Sequence, residues 1–177
     1  MNWIIIYGSH YGTTRKYALK LAEMTNIPAI SFESVKDINS YNNIIYFGGI
    51  YAGGILGMSK TFKRLKNLSD KKLIIVTVGL SNPEEKENIK NIRDNIERQL
   101  SGEIIARAKI FHLRGGIDYN ELGFIHRNMM RLLYNSVKNL PDEKKSAEDR
   151  AVIETYNQKV DFIDFSGLKD IIAEIRD

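Results

Sequence analysis

The chain has 177 residues, 43% of them apolar and 27% charged, and a net charge of +4. That length suits one domain with a full core, and the composition excludes a disordered chain. The absence of cysteine excludes disulfides, thiolate nucleophiles, zinc–thiolate sites and cysteine-ligated iron–sulfur clusters.

Three histidines, His10, His112 and His126, are too scattered to suggest a metal site, and none is expected. Neither a signal peptide nor a run of ~20 apolar residues is visible, so a cytoplasmic location is expected. The pI of about 9.1 reads as a lysine-rich surface; no nucleic-acid-binding motif accompanies it, and no nucleic-acid partner is expected.

Trp3–Tyr7 is a short apolar run ended by Gly8 and predicts a strand. Helical spacing follows over Thr13–Met24, with Tyr17, Leu21 and Met24 on one face. Ala29–Phe32 and Asn43–Phe47 predict the second and third strands. Met58–Leu68 predicts a helix with apolar residues at Met58, Phe62, Leu65 and Leu68. Leu73–Val78 predicts the fourth strand. Pro83–Leu100 predicts a helix opened by Pro-Glu-Glu, a sequence suited to a first turn. Ala108–Leu113 predicts the fifth strand.

The segment from Gly115 to Phe165 breaks this alternation and is too long for an ordinary connection. It holds a helical pattern over Glu121–Lys138, a charged stretch over Pro141–Arg150 and a mixed segment ending at Phe165. In the helical pattern Leu122, Ile125, Met129, Leu132, Leu133 and Val137 form an apolar stripe, and His126, Arg127, Arg131 and Lys138 lie on the other surface. Ser166 then reads as the N-cap of a last helix carrying Leu168, Ile171, Ile172 and Ile175.

The first, third and fourth runs are almost continuously apolar, as parallel strands covered on both faces are. Strand–helix alternation with right-handed crossovers predicts a single α/β domain over residues 1–177. Its sheet is expected to be doubly wound, five-stranded and parallel, of order 2-1-3-4-5, with a helical insertion at about 115–165 before the last helix. In that topology ligands bind outside the carboxyl ends of the strands, beside the first strand.

The loops at those ends carry the chemistry. Gly8-Ser9-His10-Tyr11-Gly12-Thr13-Thr14 offers glycines, hydroxyls and a helix N-terminus, the set a phosphate dianion needs. It is not a Walker loop, because no Lys-Ser/Thr pair follows the second glycine, and not the dinucleotide G-x-G-x-x-G. After the third run, Gly48 to Gly57 contains five glycines and predicts a permissive loop with Tyr51 as its aromatic. Gly79-Leu80-Ser81-Asn82-Pro83 follows the fourth run and Arg114-Gly115-Gly116-Ile117-Asp118-Tyr119 the fifth.

Ser9-His10-Tyr11-Gly12-Thr13-Thr14 resembles the phosphate signature of the flavodoxins, Ser/Thr-x-Thr-Gly-x-Thr, departing from it at Tyr11. The layout, with Arg15 after the signature, a glycine-rich third loop and Arg-Gly-Gly-Ile-Asp-Tyr before a basic, methionine-bearing helix, resembles one branch of that superfamily. That branch contains the menaquinone-dependent protoporphyrinogen oxidases and related flavodoxin-domain proteins. The resemblance implies FMN as cofactor. It implies a phosphate site at Ser9, Gly12, Thr13 and Thr14, with His10 and Tyr11 in the same loop. It implies a ring site at Gly49, Ile50, Tyr51, Ala52 and Gly53 and at Gly79, Leu80 and Ser81. Arg114, Asp118 and Tyr119 are the candidates for contact with substrate or partner.

The flavin does the chemistry in such proteins, so no catalytic side chain is expected. The implied function is oxidation of a porphyrinogen with a quinone acceptor; the alternative is a non-enzymatic flavodoxin-type carrier. Carriers of that type are usually acidic, whereas these loops hold no Asp or Glu before Glu84. The same absence excludes a phospho-acceptor receiver domain. The basic helix over Glu121–Lys138, which directly follows the Arg114–Tyr119 loop, is the candidate for one wall of the substrate entrance and for contact with the inner membrane face or a partner; the alternative is that its stripe packs on the sheet or on a second copy.

Overall fold

The computed structural model describes residues 2–51 and 54–176. Five parallel strands form the sheet: β1 (Trp3–Gly8), β2 (Ala29–Ser31), β3 (Asn43–Tyr51), β5 (Lys72–Gly79) and β6 (Ala108–Arg114). A two-residue strand, β4 (Gly54–Ile55), pairs antiparallel with the end of β3. The spatial order β2-β1-β3-β5-β6 is the expected doubly wound order of the five predicted strands. The register runs straight across it, Ile5 beside Ala29 and Ile45, and Ile45 beside Ile74.

Alternation along these strands builds two cores. On one face Ile4, Ile6, Ile44, Tyr46, Leu73 and Ile75 pack under α2 (Met58–Phe62), α3 (Lys86–Gln99) and α4 (Gly102–Arg107). On the other, Ile5, Ile45, Phe47, Ile74 and Val76 pack under α1 (Thr13–Thr25) and α7 (Leu168–Arg176). Tyr17 of α1 is 1% exposed. Its hydroxyl donates to the Arg114 carbonyl at 2.8 Å and accepts from the Asp164 N–H at 2.9 Å, tying α1, the end of β6 and the approach to α7 together.

The insertion is a third small core of its own. β7 (Gly116–Asp118) and β8 (Lys159–Asp161) pair antiparallel, and α5 (Phe124–Val137) and α6 (Ala147–Thr155) lie between them in sequence. Ile117, Tyr119, Leu122, Met130, Val137 and Val152 are its buried residues. A capping box starts α6: Ser146 Oγ accepts from the Asp149 N–H, and the Asp149 carboxylate accepts from the Ser146 N–H.

Several boundaries differ from the expectations. The third strand runs on to Tyr51, so its glycine-rich segment is in part a hairpin, with Ile50 opposite Ile55. Residues 52 and 53 lie outside the described residues. α2 ends at Phe62, before Leu65. Pro83 stands in a turn ahead of α3, whose N-cap is Glu85. Ser166 is not the N-cap of the last helix but lies inside a 3-10 turn, Phe165–Gly167, that leads into α7 and is capped by Asp164, which accepts from the Ser166 N–H at 2.8 Å. In α5 the stripe divides. Met130 and Val137 are buried, but Ile125 is 77% exposed and Leu132 66%, because the helix rests on the insertion through the face carrying Met129, Met130 and Tyr134.

The carboxyl end of β1 passes so close to the β4–α2 turn that a Cβ on Gly8 would collide with the Leu56 carbonyl. Gly8→Ala is expected to destabilise the domain by about 1–3 kcal/mol, as overpacking does, measured by urea unfolding with the m-value unchanged.

Candidate functional site

A cavity of about 390 Å³ lies at the carboxyl ends of β1, β3, β5 and β6, where the topology places it. Its floor includes Gly49, Val78, Gly79 and Leu113. Ile50 and Tyr51 of the hairpin and Leu80 and Ser81 of the next loop form two sides. The insertion supplies the roof, with Met129, Met130 and Leu133 from α5 and Ala151 and Val152 from α6. The cavity begins at the N-terminus of α1, at Thr13 and Thr14, and ends at Asn88 and Ile92 of α3 and Glu148 of α6.

The α1 end has unused donors. Gly12 is the N-cap, with φ 85° in the left-handed region, and no side chain caps the helix. No acidic residue stands in its first turn. Its first N–H groups are therefore free for an anion, with the helix dipole in the same sense. Ser9 holds the loop by accepting from the Gly12 N–H at 3.1 Å. Thr14 is 3% exposed, with its hydroxyl close above Gly49.

Aromatic rings stand beside that loop. The His10 ring lies 4.6 Å from Tyr51 and 5.0 Å from His126 of α5, and Tyr51 meets His126 edge-on at 5.4 Å. The Tyr51 hydroxyl donates to Met129 Sδ at 3.3 Å, joining the hairpin to the roof. Burial, with His126 beside it, lowers the His10 pKa below the ordinary histidine value. Burial, then the nearby Tyr51, raises the Tyr11 hydroxyl well above the usual tyrosine range. His112 reaches the cavity with Nδ1 2.7 Å from Thr77 Oγ1, and burial and then Arg93 lower its pKa.

Of the residues singled out in the sequence, His10, Tyr11, Thr13, Thr14, Gly49, Ile50, Tyr51, Gly79, Leu80 and Ser81 line this one cavity. Ser9 and Gly12 shape its loop from behind. Ala52 and Gly53 lie outside the described residues. Arg114, Asp118 and Tyr119 are brought to the neck of the insertion and not to the cavity wall. Arg114 Nε donates to the Leu80 carbonyl at 2.9 Å, and its guanidinium stacks 3.7 Å above the Phe162 ring. Asp118 pairs with Lys159 across β7–β8 at 3.0 Å. Tyr119 is 4% exposed against Tyr156, and burial pushes its hydroxyl up to about 12.

The cavity also contains acids from outside the strand-end loops. Glu148 and Asp149 reach it from α6, far along the chain. Asn88 and Met130 were likewise not singled out, whereas Met129 and Leu133 belong to the stripe of the helix expected to wall the entrance. The Ser146-x-x-Asp149 spacing was a usable helix-start signal, but nothing local says where that helix docks. Among the described residues no cluster of His, Asp and Glu is placed to hold a metal ion, and no helix is long and apolar enough to cross a membrane. Outward on α5, Phe124, Ile125 and Leu132 are exposed beside Arg127 and Arg131.

Residues 4–144 match the family described as flavodoxin domain. The chain belongs to the flavodoxin domain family. No curated protein sequence is significantly similar to it. Among solved structures it is similar to a putative flavoprotein from Bacteroides uniformis, at 13% identity over 64% of this chain and 90% of that one, with a TM-score of 0.46. A flavoprotein from Lactobacillus acidophilus in complex with FMN matches at 14% identity over 64% and 92%, TM-score 0.45. A Fusobacterium nucleatum flavodoxin bound to flavin mononucleotide matches at 16% over 70% and 75%, TM-score 0.40. In this flavodoxin domain the matched residues span the parallel sheet and α5, and α6, which lines part of the cavity, lies beyond them.

Burial, and then the adjacent Asp149 carboxylate, raises the Glu148 pKa above its ordinary 4.5. A raised folded-state pKa stabilises below the unfolded value and loses that contribution as pH rises through the folded one. Glu148→Gln should therefore match the wild type in Tm below about pH 4 and exceed it at pH 7. Thermal melts of the ligand-free protein across that range check the sign.

Proposed function

We propose that this flavodoxin domain is an FMN-dependent oxidoreductase, with the FMN phosphate at the Ser9–Thr14 loop and the ring in the cavity between Ile50–Tyr51 and Leu80–Ser81. The uncapped N-terminus of α1, opening into an apolar cavity, carries the reading. An anion needs free N–H donors and an aromatic ring needs a dry slot, and the two are joined here. FMN, when bound, supplies the electron-accepting chemistry. The chain's own groups bind and orient it: first-turn N–H groups and the Thr13 hydroxyl toward the phosphate, and Ile50 and Leu80 beside the ring. Met129, Met130 and Val152 above keep water out.

Thr13→Asp separates binding from folding. An acid in the first turn favours α1, by about 0.3–1 kcal/mol, but opposes a phosphate. Thr13 is the residue to change, because Thr14 is buried. FMN affinity measured by fluorescence quenching should fall about a hundredfold with Tm unchanged or raised. Wild-type affinity in this variant would place the phosphate elsewhere.

The substrate reading is protoporphyrinogen oxidation with a quinone acceptor. The sequence resemblance supports it, as does the covered, apolar roof. A cavity of about 390 Å³ that holds a flavin has no room for a tetrapyrrole as well, so a tetrapyrrole would meet the ring edge where His10, Tyr51 and His126 cluster. The FMN-loaded protein is expected to turn over protoporphyrinogen anaerobically with a naphthoquinone, followed by porphyrin fluorescence. A rate no faster than free FMN, with rapid single-electron exchange to a redox protein, would favour the carrier instead.

A further inference from the structure

Four buried side-chain oxygens lack a hydrogen-bond partner among the described residues: Tyr11 Oη, Asn88 Oδ1, Tyr119 Oη and Glu148 Oε1. Buried polar atoms are nearly always paired, so each orphan asks for a reason. Three of the four belong to residues that line the cavity.

Two of them share one wall. Asn88 is 1% exposed, and its Nδ2 donates to the Asn82 carbonyl at 2.7 Å. That bond fixes the orientation of the carboxamide and leaves Oδ1 as the unused acceptor. Glu148 is the second residue of α6; the next residue, Asp149, is occupied by the capping box, and Glu148 Oε1 is not. α3 and α6 are joined by an ion pair between Glu87 and Arg150 at 3.1 Å, and each helix contributes one of the two acceptor residues to the cavity lining.

This wall lies across the sheet from the phosphate loop. α1 packs on one face of the sheet and α3 on the other, and the cavity runs between them over the strand ends. Its chemistry changes along the way: free N–H donors and hydroxyls at α1, apolar side chains in the middle, bare acceptors at α3 and α6. FMN changes in the same order, from phosphate to tricyclic ring to a pyrimidine edge whose N3–H is the only hydrogen-bond donor of the oxidised ring.

Resting on the FMN reading above, we propose that Glu148 Oε1 and Asn88 Oδ1 together accept the flavin N3–H, so that the insertion binds the cofactor directly as well as roofing it. Glu148 is the stronger acceptor of the two because it carries charge. Its raised pKa agrees with a carboxyl placed in a dry site with no donor of its own. The insertion and the flavin are then coupled: a ligand that pairs with Glu148 holds α6 against α3.

The test uses a changed ligand before a changed protein. Apoprotein is titrated with FMN and with N3-methyl-FMN by fluorescence quenching. Wild type is expected to bind the methylated flavin about tenfold more weakly or worse. Glu148→Leu should weaken FMN binding and bring the ratio of the two affinities close to one. Glu148→Gln keeps an acceptor oxygen and should retain part of the ratio, and it serves if the leucine variant folds poorly by circular dichroism. Equal binding of the two flavins by wild type overturns the proposal and leaves FMN binding intact, assigning the two acceptors to a substrate or a water. An undiminished ratio in folded Glu148→Leu also overturns it. Failure of wild type to bind FMN at all removes the cofactor reading and this proposal with it.

Discussion

Ile4, Ile6, Ile44, Tyr46, Leu73 and Ile75 fill one side of the sheet and Ile5, Ile45, Phe47, Ile74 and Val76 the other, and most are fully buried. A parallel sheet covered on both faces has no side chains to spare for a ligand. Chemistry is confined to its carboxyl edge, where strands stop and helices start. The hydrogen bonds of Tyr17 and the strand register hold that edge level. The walls of the cavity follow from this confinement: its loop at Gly8–Thr14 is the first helix start, and the hairpin and Leu80–Ser81 are the next two strand ends.

What the insertion adds is a lid with chemistry of its own. A bare strand edge would leave a bound ring open to solvent on one side. α5 and α6 close that side with methionine, leucine and valine, and α6 brings in two carboxylates. The residues that line the cavity from the loops after β1, β3 and β5 include no acid; in three dimensions α6 supplies two. A charge count made loop by loop therefore misses part of the local field.

The sheet order was legible in the sequence because it depends on local pattern, apolar runs of strand length, and the glycines and hydroxyls of Gly8–Thr14 marked the turn that opens α1. The failures share a different cause. Gly48 to Gly57 reads as a loop, since glycine weakens strand propensity, yet Ile50 finds Ile55 and the backbone pairs. In α5, Ile125 and Val137 belong to the same predicted stripe, and only the docking partner decides which is buried. Asn88 and Glu148 are ordinary polar residues on amphipathic helices; their meaning comes from α3 meeting α6. Arg114, Asp118 and Tyr119 look like site residues beside a glycine pair, but they build the joint between sheet and insertion.

That joint has an evolutionary side. The chain leaves the sheet region at Asp118 and returns at Lys159, and the two residues sit side by side across β7–β8, linked by their ion pair. A detour whose two ends already touch can gain, lose or exchange segments while its anchor stays put, since the entropy of closing a loop grows only slowly with its length. The floor beneath is then free to stay constant over long descent while the roof is rewritten. Divergence in what such a cavity admits should be concentrated in residues 119–158, with the sheet beneath them changing little.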